Sequence, residues 1–528
     1  MKKIALIIFS FVVYNVSAQN YKDALRYSTE DLSGTARFKG MSGAFGAIGG
    51  DFSAISINPA GSSVFSGAQI GGTLGGNVTK NNITYNGTQA NNRDTDFNVN
   101  QFGVVFPIEV ATSGWRKFSF GFNYQNTKNF DASNFSFSGR SNQNLGDYFK
   151  YFADGIKQQN LLLETYQNKQ VIERNTLQDI YFDMGRLAGD RAFRYRNALL
   201  GHYVGLIRPH IGRDEIKPTD SDAVADAILQ ETQYDKNVTN GADQRFERVT
   251  SGGVSKYNFN FSTQYEDFLY LGLNLNAHRI NQKDKLSHWE TYASTSTITN
   301  AYFENEYNTK GSGFSFQLGA IIKATKGLRL GVTYTSPTWY TFNQEYTQYL
   351  STNNRRNYAD PRVIVTLPDY KFRTPGSLTA SAAYLFGKYA ILSADYTYKD
   401  YKNLHFGSAA KNSENDLIEN QLGETSTVRI GVEGRIPIKT GEATNYISLR
   451  SGYRYEQSPY RKKIAPVGDL NGYSFGAGIT LGGIRLDASY DIAKQTNLYQ
   501  MYETVLTDNA QIKSTYGNFL FTFTAQLF

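Results

Sequence analysis

In Ile484-Arg485-Leu486-Asp487-Ala488-Ser489-Tyr490-Asp491-Ile492 every even position is apolar and every odd one is polar or charged. Val428, Ile430, Val432, Gly434 and Ile436 alternate in the same way with Arg429, Gly431, Glu433 and Arg435. So do Tyr473, Phe475, Ala477, Ile479 and Leu481 with Ser474, Gly476, Gly478 and Thr480. A side-chain period of two marks a β-strand. Each run keeps its pattern for about nine residues, the length a tilted strand needs to cross a bilayer. Arg429, Glu433, Arg435, Arg450, Arg454, Glu456, Arg485, Asp487 and Asp491 all fall on the polar face, more charge than a dry core accepts. A soluble sandwich also alternates, but it has no place for so many ions. Apolar outside and charged inside is the pattern of a bacterial outer-membrane β-barrel.

Composition agrees with a barrel. Tyr (38) outnumbers Phe (35), and a ring with one wet edge suits a membrane interface. Pro is scarce (11) and Gly abundant (48), as strand ladders and turns require. The absence of Cys excludes disulfides, thiolate metal sites and covalent haem attachment, and no cofactor or metal is expected. The net charge of +7 is mild and spread along the chain, so no nucleic-acid partner is expected. Lys2-Lys3, the apolar run Ile4 to Val13 and Val16-Ser17-Ala18 read as a signal peptide over residues 1–19. No later apolar run reaches the length of about eighteen residues that a membrane helix needs, so strands must do the spanning.

Residues 20–67 precede any clear strand. Gly40, Gly43, Gly46 and Gly49 recur at every third position, followed by Asp51 and by Asn58-Pro59-Ala60-Gly61. The spacing is not that of a dinucleotide-binding loop, and no strand precedes it. Small residues that permit close packing, with a turn at Asn58-Pro59, read as a plug folded into the barrel mouth. Over residues 68–528 the periodicity predicts fourteen strands, beginning 68–85, 97–110 and 116–137 and ending 483–495 and 514–528. Short links (111–115, 266–267, 325–326, 387, 438–444, 482) alternate with long ones (86–96, 138–251, 286–311, 347–373, 404–423, 458–470, 496–513). That asymmetry is the one between periplasmic turns and extracellular loops, and it puts both termini on the periplasmic side. Within the insertion 138–251, helices are expected over Ile156 to Glu173, Thr176 to Arg196 and Ser221 to Gln233, forming a cap with Leu161-Leu162-Leu163 in its core. The terminal Phe528 on an amphipathic strand looks like a signal for the barrel-assembly machinery.

Two regions resemble the long-chain fatty-acid transporter family of outer-membrane proteins (FadL/TodX type). One is Arg37-Phe38-Lys39-Gly40-Met41-Ser42-Gly43-Ala44-Phe45, continuing through Asp51 to Asn58-Pro59-Ala60-Gly61 and similar to that family's hatch. The other comprises Thr374-Pro375-Gly376-Ser377-Leu378, Val428 to Glu433, Leu449 to Pro459, Tyr473 to Gly478 and Leu486 to Tyr490. The resemblance implies a fourteen-stranded barrel with an N-terminal plug and passive uptake of hydrophobic molecules, which leave sideways through the wall. The insertion is longer and more charged than the resemblance implies, which leaves the substrate open. A greasy compartment behind the plug is expected, since such a route keeps apolar surface out of water.

A carboxylate head would need an Arg or Lys. Arg429, Arg450, Arg454 and Arg485 have inward parity, and they serve either a ligand or a structural network with Glu433, Glu456 and Asp487. Other readings are a haem or hydrophobic-ligand receptor using His202 and His210, an accessory barrel of protein secretion, and an outer-membrane lipase using His278 or Ser474. Gly472-Tyr473-Ser474-Phe475-Gly476 matches a nucleophile elbow, but alternation runs straight through it, without the strand-to-helix turn such an elbow needs. The protein is therefore expected to be a monomeric transporter rather than an enzyme, with a fatty acid or similar hydrophobic small molecule and outer-membrane lipid as partners.

Overall fold

The computed structural model describes residues 20–527, apart from 111–113, 132, 168–169, 188–189, 218, 354–357, 408–411, 441–442, 462–465 and 503–504. Residues 1–19, expected to be a signal peptide, and Phe528 lie outside the described residues.

Fourteen antiparallel strands close into a barrel. They are β1 (Gln69–Tyr85), β2 (Thr88–Glu109), β3 (Trp115–Asn129, resuming as Phe135–Ser141), β4 (Ala242–Tyr265), β5 (Leu269–Thr291), β6 (Asn300–Lys323) and β7 (Leu328–Thr335 with Trp339–Thr352). Then follow β8 (Tyr370–Arg373 with Ser377–Phe386), β9 (Ala390–Asp400), β10 (Glu424–Thr440), β11 (Ala443–Glu456), β12 (Val467–Leu481), β13 (Ile484–Gln500) and β14 (Asn509–Gln526). Pairing of Gln69 with Gln526 through Thr84 with Gln511 joins β1 to β14 and closes the ring. The predicted parity holds. Leu449 (57% exposed) and Phe519 (56%) face outward, while Glu433, Arg450, Asp487 and Asp491 are buried inside. Among the described residues no helix is long and apolar enough to cross a membrane.

Several boundaries differ from the sequence reading. The predicted loop 86–96 is strand. Asn86 (φ 44°) and Gly87 (φ 83°) make a two-residue turn, and β2 starts at Thr88. Positive φ at both positions is what the Asn-Gly pair of a tight hairpin supplies. The loops predicted at 286–311 and 496–513 shrink likewise, because β5, β6, β13 and β14 run on past the membrane into water. The insertion occupies 142–241, and Ile156 to Glu173 is not a helix but a 3-10 turn (Gln158–Leu161) and a β-hairpin (Glu164–Gln167 with Gln170–Arg174).

Among the described residues four helices build a cap over the end of the barrel expected to be extracellular: α3 (Leu145–Ala153), α4 (Leu177–Asp183), α5 (Asp190–Tyr203) and α6 (Asp222–Leu229). Phe149, Phe152, Leu161, Leu199 and Leu200 form its core together with Phe303 and Leu350 of the extended β6 and β7. The wall and the cap thus share one core.

Candidate functional site

Residues 20–67 lie within the ring of strands and run nearly its full height. At the outer end the Tyr21 N–H, at the start of α1 (Tyr21–Ser28), donates to Glu414 of the loop helix α7 (Asn412–Gln421) at 2.7 Å. At the periplasmic end Pro59–Val64 forms a 3-10 helix capped by the Asn58 side chain and packs against β4, β5 and β6. Between them α2 (Ala36–Gly40) faces β12 and β13.

The two sides of this segment are held by different chemistry. Towards β10–β13 the contacts are mainly ionic, with Ser42 and Ser474 hydrogen-bonded beside them. Arg37 Nε donates to Glu433 Oε2 at 2.9 Å, and Lys39 Nζ meets Asp491 Oδ1 at 2.8 Å. Glu433 also accepts from Arg450 Nε (2.6 Å) and Arg435 Nε (2.7 Å), and Arg450 Nη1 donates to Asp487 at 2.7 Å. Arg485 extends the chain to Asp487 (2.9 Å) and to Asp51 of the segment itself (3.8 Å). Towards β4–β6 the contacts are neutral amides: Asn274, Gln317 and Asn260 donate to the carbonyls of Ile55 (2.8 Å), Ser56 (3.0 Å) and Pro59 (2.9 Å).

The repeated glycines sit where this segment meets the wall or itself. A Cβ on Gly46 would stand 2.0 Å from Ser381 Oγ, and the Phe45 and Gly46 N–H groups both donate to Asp395 at 3.0 Å. Gly40 abuts Gly476 of β12, Gly61 abuts Gly49, and Gly43 and Gly49 have positive φ. Asn58 Nδ2 donates to Gly46 O at 2.8 Å, closing the glycine run back on the Asn58-Pro59 turn.

Above α2 lies a cavity of about 1000 Å³ bounded by α1, residues 29–33 and the wall. It is not the greasy compartment expected. Lys128, Lys256, Lys399, Arg429 and Arg454 line it beside Tyr27, Tyr340 and Tyr401. The lysines converge on the C-terminal end of α1: Lys128 donates to Arg26 O (2.8 Å), Lys399 to Ser28 O (2.7 Å), and Lys256 faces Glu30 at 3.4 Å. Cations there satisfy orphan carbonyls and oppose the negative end of the helix dipole.

The four candidate arginines separate into two pairs. Arg450 and Arg485 belong to the ionic network. Arg429 and Arg454 are cross-strand neighbours on the cavity wall. Arg454 reaches Glu456 at 3.6 Å, whereas Arg429 makes no ion pair or hydrogen bond among the described residues and its Nε is buried without a partner.

Periodicity could not reveal the seam in the wall. β2 pairs with β3 only as far as Gln101 opposite Gln125, and beyond that point β2 pairs with β1 alone while Phe135–Ser141 pairs with β4 alone. Side chains bridge the gap: Ser136 N donates to Asn92 Oδ1 (2.9 Å), Asn134 N to Asp94 (3.2 Å), and Asn129 Nδ2 to Asp96 (2.6 Å). The cavity reaches this seam at Asn98, Asn100, Asn126 and Asn129.

The enzyme candidates are placed apart from any such constellation. Ser474 lies mid-strand and shares a 2.7 Å hydrogen bond with Ser42, while His278 Nε2 lies 2.9 Å from Ser315 Oγ. His202 is on α5, and His210 pairs with Asp235 at 2.9 Å on the cap surface. Among the described residues no group of His, Asp and Glu is arranged to hold a metal ion.

A solved FadL homologue from Pseudomonas aeruginosa matches 95% of this chain and 100% of its own at a TM-score of 0.52 and 13% identity. The chain has the FadL-type fold. The Pseudomonas putida toluene transporter TodX (13% identity, 94% of this chain and 99% of that one, TM-score 0.49) and the monoaromatic hydrocarbon channel CymD (11%, 94% and 97%, 0.45) also match. No protein-family profile matches the sequence, and no curated protein matches it. In this FadL-type barrel the strand count, the apolar exterior and the charged interior are those of an outer-membrane protein.

Proposed function

We propose that the protein is an outer-membrane channel for passive uptake of hydrophobic compounds that carry an anionic head, long-chain fatty acids being the leading class. The observation that carries this reading is one continuous space: the cavity above α2 extends to the unpaired seam between β2 and β3. A solute enters beneath the cap, rests in the cavity and leaves through the seam into lipid, so its tail avoids bulk water. Tyrosines and phenylalanines accept the chain, at about 0.8 kcal/mol per buried methylene. Arg429, with Arg454 beside it, receives the carboxylate, whereas Arg450 and Arg485 stay committed to the network. A plain aromatic hydrocarbon would leave Arg429 with only the longer-range attraction of Asp395, its neighbour across β9 and β10. The barrel works as a monomer in contact with outer-membrane lipid, after insertion by the barrel-assembly machinery. Residues 20–67 act as its plug.

The test is uptake of labelled oleate and of toluene by cells with and without the gene, and with Arg429→Gln. Oleate uptake should require the protein and fall with the variant, toluene uptake should not. Oleate uptake independent of the gene would refute the reading.

A further inference from the structure

We propose that the outward face of the barrel carries a docking surface for the phosphate groups of anionic lipids in the outer leaflet. The inference requires only that the barrel spans the membrane and is independent of what it transports.

On the lipid side of β4–β7 the apolar band ends in a cross-strand row of Tyr257, Ala277, Phe314 and Trp339, which meets Arg373 of β8. One step outward the row reads Ser255, Arg279, Ser312, Thr341 and Lys371. Lys310 opposite Asn281, and then Lys283, continue it. All five cations are exposed. Among the described residues none of the five side chains has an ion pair or hydrogen bond, and the carboxylates of the same rows are Glu345, opposite Asn308, and Asp369, which accepts from Asn343. Further from the membrane the rule changes: Lys285 pairs with Glu304 at 3.0 Å and Arg140 with Asp243 at 3.2 Å. Cations are therefore paired within the protein where the strands stand in water, and left unpaired in the rows just above the aromatic belt.

A second arc repeats the arrangement. Lys494, Thr515, Lys80 and Arg93 are successive neighbours across β13, β14, β1 and β2, with Lys513 opposite Asn82 one step out. All four of these cations are exposed. On β9–β12 the corresponding outward positions are Tyr396, Tyr398, Ser426, Tyr455, Asn471 and Asp469, with no cation among them. The cations are thus gathered into two arcs and not spread evenly around the rim.

Unpaired cations beside a hydrocarbon band are unfavourable unless the surroundings supply anions. At this height the surroundings are lipid head groups. Phosphate suits Arg and Lys, and each basic side chain close to an anionic surface adds to the attraction. The side is the outer one, because the cap and long loops lie beyond these rows, while the start of β1 at Gln69 and the end of β14 at Gln526 lie opposite.

The experiment is native mass spectrometry of the purified full-length barrel in zwitterionic detergent, titrated with a diphosphorylated acylated disaccharide lipid. Its dephosphorylated form and phosphatidylethanolamine serve as comparison lipids. The intact barrel should retain the phosphorylated lipid in preference to both. The triple variant Arg279→Gln, Lys310→Gln, Lys371→Gln should bind it roughly a hundredfold more weakly. Equal retention of the dephosphorylated lipid, or unchanged binding by the triple variant, would overturn the proposal. So would displacement of the lipid by equimolar inorganic phosphate, which would mark a free-anion site. If the triple variant does not fold, the salt dependence of wild-type binding decides: affinity must fall as ionic strength rises, and salt-independent affinity overturns the proposal.

Discussion

Arg37 and Glu433 are 396 residues apart in sequence and form a two-pronged, fully buried ion pair, with Nε to Oε2 at 2.9 Å and Nη2 to Oε1 at 3.3 Å. One partner belongs to the segment inside the barrel and the other to its wall. Glu433 also serves Arg435 and Arg450. Its carboxylate is therefore the common anion for three guanidinium groups.

Removing that anion should be worse than removing one cation. Glu433→Gln takes the carboxylate from Arg37 and Arg435 and leaves Arg450 with Asp487 alone, and loss of a buried partner typically costs about 3–5 kcal/mol. Arg37→Met leaves Glu433 still paired twice, so its cost should be smaller. Chemical denaturation of both variants in detergent checks the order, and equal midpoints would contradict it.

Gly46→Ala should loosen the plug without unfolding the barrel. The new methyl group lands on Ser381 Oγ, and overpacking of this kind costs about 1–3 kcal/mol. The expected readout in planar bilayers is an ion conductance higher than that of the wild type. A variant as tightly closed as the wild type would show that the segment has room to shift.

The seam can be locked by a reversible cross-link. The chain contains no cysteine, so Asn92→Cys with Ser136→Cys introduces its only two thiols. These residues already meet across the gap, Ser136 N to Asn92 Oδ1 at 2.9 Å. Oxidation should suppress solute uptake and reduction should restore it. Uptake indifferent to the redox state would place the exit elsewhere.

The cap should respond to acid at one point. Thr176 donates to the Asp179 carboxylate through its hydroxyl (2.6 Å) and its N–H (3.0 Å), which holds that carboxyl below its ordinary value. A folded-state value depressed below the unfolded one gives stability that is complete above the unfolded value of about 3.9 and lost as pH falls through the lower one. Protection of the amides at the start of α4, taken relative to their intrinsic base-catalysed exchange, should therefore stay constant from about pH 8 to 5 and fall only below about pH 4.

Much of this architecture was legible because a barrel wall separates two solvents. Wherever a strand crosses hydrocarbon, alternation had to appear, as it does from Val428 to Ile436. Above the membrane both faces meet water, so Thr88 to Asp96 carries no apolar parity and reads as a loop. The Asn86-Gly87 pair was the signal available there, and it marks a hairpin. The stretch Ile156 to Glu173 misled for a related reason: its charges suit a helix, but a hairpin exposed on both faces also tolerates them.

The Lys128, Lys256 and Lys399 group had no signature, since these residues stand on three different strands and meet only at the end of α1. The same holds for the division of the arginines. Parity put Arg429 and Arg450 on one inward face, and only register and closure made Arg450 the partner of Glu433 and Asp487 while leaving Arg429 on the cavity wall. By itself the sequence determined which side of each strand is wet, because a period of two is local and the penalty for a misplaced charge in hydrocarbon is large. The tertiary structure alone decided which charge answers which and where the wall comes apart, because both depend on how residues hundreds of positions apart are brought into register.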